Sequence, residues 1–348
     1  VYGIDWLTVY QEHPSGCPKF GKDLVTYIDL DTGETGREYV TGYQHPGSHD
    51  TSLRIRSDGR GVEVSGNPSR WCREDNIFGF QTVDQCLGVY NRVLGELGLP
   101  LFAADPRTYA VQTLSPKGRH HDTGPVIRRI DLTENFCVGS MNDARAFLRF
   151  LTSVAAHGRT GHIYPNGATV DWGTKSRYTY TKYYLKAVEL EARKQTRSEY
   201  QKQIIEWCHD QGLVRFEVSF KSTFLRRYGL HDPARWTIGQ AVELMGKYMH
   251  HRKVEYSRAS TDDIREELIR LGFPAGRAER AQQAFYAWSS GHDLRRGMSK
   301  SAFYRLRSDL LNVGVDISEP VNVTALPVRI REVRLNEAAP PRWYRSVS

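Results

Sequence analysis

The stretch Leu213-Val214-Arg215-Phe216-Glu217-Val218-Ser219-Phe220-Lys221 decides how the rest of the chain is read. Val214, Phe216, Val218 and Phe220 alternate with Arg215, Glu217, Ser219 and Lys221, the period of two that sends successive side chains to opposite faces of a strand. One face of this strand belongs to a core. The other is polar and placed to line a site. Working outward, Val126-Ile127-Arg128-Arg129-Ile130-Asp131-Leu132 reads as a second strand, and residues 168–183 read as strand and turn around Gly173. Residues 4–9 and 24–28 are further strand candidates. Residues 53–56 and 62–64 form the arms of a hairpin around Ser57-Asp58-Gly59-Arg60-Gly61, with Glu63 in its second arm.

Between these strands the spacing turns helical. Apolar positions at three and four predict helices over residues 83–97 and about 142–156, and a third from about Tyr184 past Ile205 that Gly212 ends. After Gly229 the texture changes: candidate helices cover 238–250, 261–271, 275–289 and 299–311. The expected class is α+β, with a central antiparallel sheet and a C-terminal helical region. The expected domains are 1–230, 231–318 and a strand-containing tail, 319–348, that packs back on the body.

Composition narrows the function. The 348 residues carry 48 lysines and arginines against 40 acidic residues, a formal charge of +8 that permits a polyanionic partner. Five cysteines with no Cys-x-x-Cys pair argue against a disulfide-built fold or a zinc finger and for a reducing compartment. No stretch approaches the ~20 apolar residues that span a bilayer, and the first residues lack the basic and apolar regions of a signal peptide. A phosphate-binding Gly-x-x-x-x-Gly-Lys-Ser/Thr loop is missing, so built-in ATPase or helicase activity is not expected. Nor is there a Ser-His-Asp hydrolase arrangement.

Four features carry chemistry: Asp131 on one strand, Glu217 on the polar face of another, Glu63 in the hairpin, and the tyrosine-rich run Ser176-Arg177-Tyr178-Thr179-Tyr180-Thr181-Lys182-Tyr183-Tyr184-Leu185-Lys186. Phosphoryl transfer from DNA to tyrosine needs such a set. Hard carboxylate oxygens suit Mg²⁺ or Mn²⁺. A phenol, with an ordinary pKa near ~10, becomes a nucleophile only where a metal or cationic neighbours stabilise the phenolate. The bland reading is also open: strand carboxylates are common and aromatic clusters are usually packing.

In order along the chain, Ile4-Asp5-Trp6-Leu7, Asn76-Ile77-Phe78-Gly79, Arg129-Ile130-Asp131, Tyr184-Leu185-Lys186-x-Val188-Glu189-Leu190, Gly212-Leu213-Val214-Arg215-Phe216-Glu217, the run from Lys221 to Leu230, Pro327-Val328-Arg329-Ile330 and Pro341-Arg342-Trp343-Tyr344 resemble the filamentous-phage replication initiators, the gene II protein family. The resemblance implies a rolling-circle nicking and closing endonuclease of α+β architecture. Such an enzyme cuts a phage double-stranded origin, holds the 5′ phosphate on a tyrosine and recloses the displaced strand. It implies Tyr184 as the nucleophile, with Tyr183 as nearest rival and Tyr180 a further alternative. Lys182 and Lys186 flank it as candidate stabilisers of the phenolate or of a phosphate oxygen.

It also implies Asp131, Glu217 and Glu63 as ligands to Mg²⁺ or Mn²⁺, with His121 or His162 as candidate nitrogen donors. A His-hydrophobic-His pair, used by many rolling-circle initiators, is absent. Asp5 reads as structural. Arg215 is expected either to bind DNA phosphate or to hold Glu217. Lys300, Tyr304, Arg305 and Arg307, on a helix capped by Ser299, are expected to contact DNA in a helix-turn-helix-like or winged module, with residues 314–317 as the wing. Implied partners are origin DNA, double- and single-stranded, a host helicase and the host replication machinery, in the host bacterial cytoplasm and away from membrane. A noncatalytic origin-binding regulator and a water-using metal nuclease stand as alternatives.

Overall fold

The structure is a computed structural model that describes residues 2–103, 108–110, 120–122, 124–152, 160–193, 197–249, 263–313, 315, 317–318 and 335–346. Its strands are β1 (Tyr2–Glu12), β2 (Leu24–Ile28), β3 (Thr35–Val40), β4 (Tyr43–Pro46), β5 (Ser52–Ser57), β6 (Gly61–Gly66) and β7 (Thr108–Ala110). They continue as β8 (His120–Asp122), β9 (Val126–Cys137), β10 (His162–Ile163), β11 (Thr169–Trp172), β12 (Thr179–Leu185), β13 (Leu213–Lys221) and β14 (Asn336–Glu337). The helices are α1 (Val83–Glu96), α2 (Met141–Leu151), α3 (Lys186–Glu191), α4 (Glu199–Asp210) and α5 (Ser222–Arg227). After them come α6 (Ile238–Tyr248), α7 (Asp263–Arg270), α8 (Ala275–Ser289), α9 (Leu294–Gly297) and α10 (Lys300–Leu311).

One antiparallel sheet dominates, in the order β10–β11–β12–β13–β9–β1–β6–β5–β4, with β14 adding to β9. The expected neighbours β9 and β13 are paired at its centre, Ser219 opposite Asp131 and Glu217 opposite Thr133. The short pairs β2–β3 and β7–β8 stand apart.

The alternation read in residues 213–221 separates the two faces of this sheet. Val214, Phe216, Val218 and Phe220 are all buried in the main core with Leu7, Val9, Ile130 and Leu132. Helix α1 closes that face. Its Thr82 forms a capping box with Gln85, and the Tyr90 hydroxyl donates to the Leu7 and Gly66 carbonyls at 2.8 and 3.1 Å. Helix α6 packs there too: its Ala241, Leu244 and Met245, with the flanking Trp236 and Met249, all belong to the main core. The first body therefore extends past the expected boundary near residue 230.

A smaller apolar cluster covers one end of the opposite, polar face, drawing Ile77, Ala187, Leu190, Ile204, Leu213 and Tyr344 together. The tail contributes to it directly. β14 pairs with β9 beyond the end of β1, Glu337 opposite Phe136, and the Ala338 amide donates to the Asn135 carbonyl at 2.9 Å. Of the expected strand-containing tail, residues 319–334 lie outside the described residues.

Residues 263–317 gather a third core, from Ile264, Leu268, Ala278, Ala281, Phe303 and Leu310. The Arg277 guanidinium donates to both oxygens of buried Asp309 at 2.9 and 2.7 Å, tying α8 to α10. Ser299 caps α10, accepting from the Ala302 amide at 3.3 Å. No helix among the described residues is long and apolar enough to cross a membrane.

Candidate functional site

The polar face of the sheet collects the site. Tyr180, Lys182 and Tyr184 share it on β12, where they stand opposite Ser219, Glu217 and Arg215 of β13. The expected helix start at Tyr184 is corrected here: the strand runs through Leu185 and α3 begins at Lys186. The tyrosines at 180 and 184 are brought to one side by the strand's period of two. The helix expected through Ile205 is likewise two, α3 and α4.

Tyr184 is buried, and its hydroxyl donates to Glu217 Oε2 at 3.4 Å. Lys182 Nζ reaches the same Oε2 at 3.0 Å and lies 5.0 Å from the Tyr184 ring centroid. Burial pushes the Tyr184 hydroxyl well above its ordinary value, while the Arg215 charge pulls it down. Burial raises Glu217 to about 7, with Lys182 opposing and Asp131 and Asp5 adding to the rise. Asp131, also buried, is raised by burial and held back by Arg129, whose Nε donates to Oδ1 at 2.9 Å.

Tyr183 points the other way. It is fully buried in the core, its ring 4.8 Å from that of Phe216 and 6.0 Å from that of Trp172. That orientation removes it from the site. Tyr180 is on the polar face, but its hydroxyl donates to Asp171 Oδ2 at 2.8 Å, as Tyr164 does at 2.9 Å.

Asp5, read as structural from the sequence, lies close enough for its charge to reach both Asp131 and Glu217. A bulge in β1 between Ile4 and Trp6 turns it toward the polar face. There Oδ1 accepts from Asn76 Nδ2 at 2.7 Å, Asn67 Nδ2 at 2.9 Å and Arg215 at 3.5 Å. An acidic residue between the apolar Ile4 and Trp6 was the available signal; the bulge that aims it leaves no local mark.

Arg215 neither binds from the surface nor holds Glu217. It is fully buried, donating Nε to Asn135 Oδ1 at 2.8 Å and Nη2 to the carbonyls of both Asn76 and Ile77. It is an internal clamp on the loop before α1. Lys186 is as deeply buried, with Nζ 2.9 Å from Asn76 Oδ1 and 2.6 Å from Glu189 Oε2. Burial, aided by Arg215, pulls it down to about 8. It lies 5.8 Å from the Tyr184 ring centroid.

Glu63 is not brought to Asp131 and Glu217. It lies across β1, opposite Tyr10, where Asp131 is opposite Trp6. Both its oxygens are taken: Arg56 Nε at 2.8 Å and an Arg128 nitrogen at 2.5 Å. His162 is exposed and approaches Asp171 at 3.8 Å; His121's side chain is outside the described residues.

Among the described residues no three His, Cys, Asp or Glu side chains converge as a ready metal site. The donor chemistry of the polar face still suits a hard divalent ion. Asp131 raises the proton affinity of Glu217, and Asp5 raises that of both. A cation would relieve that repulsion.

On α10, Lys300 and Arg305 are exposed and Tyr304 is 53% exposed, whereas Arg307 is half-buried. Of the expected wing, residues 314 and 316 lie outside the described residues.

The chain is 29% identical over 315 residues to the replication-associated protein (gene II protein) of Escherichia phage If1, covering 84% of this chain and 96% of that protein. It is 25% identical to the replication-associated protein of the same description from Enterobacteria phage I2-2, covering 98% and 96% respectively. A solved rolling circle replication initiator protein from Geobacillus stearothermophilus is similar over 63% of this chain and 74% of that one, at 13% identity and a TM-score of 0.25. The family model for the N-terminal region of the replication-associated gene II protein matches residues 4–239, and that for its C-terminal region matches residues 275–348; the chain belongs to this family.

Proposed function

We propose that the protein initiates rolling-circle replication of a phage genome, nicking one strand at a double-stranded origin and resealing the displaced strand through a 5′-phosphotyrosine. The observation that carries this is the Tyr184 hydroxyl 3.4 Å from Glu217 Oε2, on a buried polar face shared with Lys182 and Asp131. Glu217, raised toward neutrality, is placed to accept the phenol proton as Tyr184 attacks. The phenol oxygen forms a bond to phosphorus, the bond to the 3′ oxygen breaks, and that oxygen leaves as a free 3′-OH. Reversal by a 3′-OH reseals the strand without ATP, because the phosphotyrosine keeps the ester's energy.

Lys182 stands beside both groups, where its charge favours the developing phenolate. Lys186 and Arg215, one layer deeper, fix the loop carrying Asn76 and supply positive potential from behind. Mg²⁺ or Mn²⁺, for which Asp131 and Glu217 would be the ligands, would polarise the scissile phosphate. The exposed Lys300, Tyr304 and Arg305 of α10 support origin binding, and a host helicase would open the duplex.

The test is a denaturing gel of end-labelled origin DNA with Mg²⁺ or Mn²⁺. A protein–5′ DNA adduct should form, vanish in Tyr184→Phe and persist in Tyr183→Phe. Cleavage without an adduct would point to a water-using nuclease, and binding without cleavage to a noncatalytic regulator. Either result would end the strand-transfer reading.

A further inference from the structure

From Asp131 a series of arginine–carboxylate and arginine–ring pairs leads away across the open part of the polar face. Arg129 pairs with Asp131 and lays its guanidinium 5.2 Å from the Trp6 ring. Four residues along β1, Tyr10 carries Arg128 at 3.8 Å from its ring centroid. Glu63 then links Arg128 to Arg56, one strand farther. Arg56 borders an open cleft with Tyr27, Arg37 and Tyr39 of the β2–β3 hairpin, where Arg37 lies 6.0 Å from the Tyr39 ring. A bulge in β9, opposite the step from Thr8 to Val9, puts both Arg128 and Arg129 on this face.

The series has the makeup of a single-strand nucleic-acid path: arginines for phosphates, and flat π faces and guanidinium planes on which unpaired bases stack. Asp131 and Glu63 lie between the four arginines, and the charges of Glu12 and Asp58 also reach Tyr10, so it is the arginine planes and the rings, not net charge, that mark the path. Two acidic residues of the hairpin are engaged elsewhere. Asp29 accepts from the Asp31 and Thr32 amides in the turn, and Glu38 pairs with Lys19 at 3.5 Å. Three strand spacings across and four residues along β1 give a diagonal of about 20 Å. A duplex would keep its bases from these rings.

We infer that the single strand flanking the scissile phosphate runs from the Tyr184 site over Trp6–Arg129 and Tyr10–Arg128 to the Tyr27–Arg37–Tyr39 hairpin. This deepens the proposed reaction and rests on it for the identity of the polymer. Glu63 acquires a role in the same stroke, spacing Arg56 and Arg128 along the path.

The test is binding of the full chain to labelled oligothymidylate of about 20 nucleotides in the presence of chelator, beside a duplex of equal length. Tyr39→Ala, Arg37→Ala and Tyr10→Ala should each weaken oligothymidylate binding about tenfold while duplex binding moves less than about threefold. Tyr10 packs on the sheet, so its variant is read beside Tyr39→Ala, whose hairpin is exposed, with thermal melting to show both are folded. Oligothymidylate affinity unchanged in the folded Tyr39→Ala and Arg37→Ala variants would overturn the path, and so would an equal loss on duplex. Tyr184→Phe should keep the affinity. No adduct from the parent chain, with the binding pattern intact, would sink the nicking reading alone; adduct formation by the parent with indifferent binding would sink the path alone.

Discussion

The hydroxyl of Tyr344 meets the carboxylate of Asp75 at 2.5 Å across 269 residues of chain. The same oxygen accepts from Arg73 at 2.8 Å and from the Phe78 amide at 3.1 Å. Between those residues lie Asn76 and Ile77, whose carbonyls clamp Arg215 and whose amide side chain, on Asn76, holds Asp5 and Lys186. The end of the chain thus buttresses the loop that shapes the site's floor.

Removing that hydroxyl in Tyr344→Phe leaves Asp75, 2% exposed, short of a donor. A loss of about 1–3 kcal/mol is expected, read by denaturant unfolding. The adduct rate should fall while oligonucleotide binding holds. An unchanged unfolding midpoint would show that the tail contact contributes nothing.

Arg215 distinguishes a clamp from a DNA contact. Arg215→Met should destabilise by about 3–5 kcal/mol, since it removes the cation beside Asp5 and the donor to Asn135 Oδ1 and to the buried Asn76 carbonyl. At temperatures where the variant is folded, the salt dependence of DNA binding should match the parent. Were Arg215 on phosphate, the slope of log K against log salt would fall by about 0.7–0.9 with stability intact.

Lys186 predicts a pH effect on stability. Its folded pKa, about 8, lies below the ordinary 10.5. Between those values the unfolded chain binds more protons than the folded one, so this group's contribution to stability rises with pH across the window and is flat below it. Lys186→Met removes the titration. The stability of the parent relative to this variant should climb by roughly 3 kcal/mol from pH 8 to 10.5. A constant difference across that window and about one unit beyond each end, measured by urea unfolding, would contradict the buried amine.

Tyr183 and Tyr184 separate by face. Tyr183→Ala empties a core position beside Phe147, Trp172 and Phe216 and should cost about 3–5 kcal/mol. Tyr183→Phe keeps the ring and should leave both melting temperature and adduct yield near the parent's. Adduct loss in that variant alone would move the nucleophile by one residue.

Much of the sheet was legible in the order of residues alone. The alternation over 213–221 named the buried and polar faces of β13 correctly, and the same period marked the 53–64 hairpin. Period-two and period-3.6 patterns are local, so strands and helices announce themselves wherever one face is dry. The reading failed at Tyr184 because apolar and aromatic residues from 179 to 190 satisfy both periods. The strand is held to Leu185 by the pairing of Tyr183 with Val170 and Phe216 and of Leu185 with Val214. The boundary near residue 230 failed for a similar reason: α6 is amphipathic in either setting, and only its packing against Phe220 shows which core it serves.

From the sequence came the family, the strand carrying Glu217, the strand carrying Asp131, and the tyrosine run between them. Which tyrosine faces the carboxylates, that Asp5 joins them, that Glu63 serves arginines instead, and that Arg215 is interior were decided by the tertiary structure. Side-chain direction along a strand is a local property, but distance between strands depends on sheet order, and a single bulge at Asp5 reverses a face. Charge environment follows from the same packing: burial and neighbours contributed by residues up to 269 positions away determine which groups hold their protons.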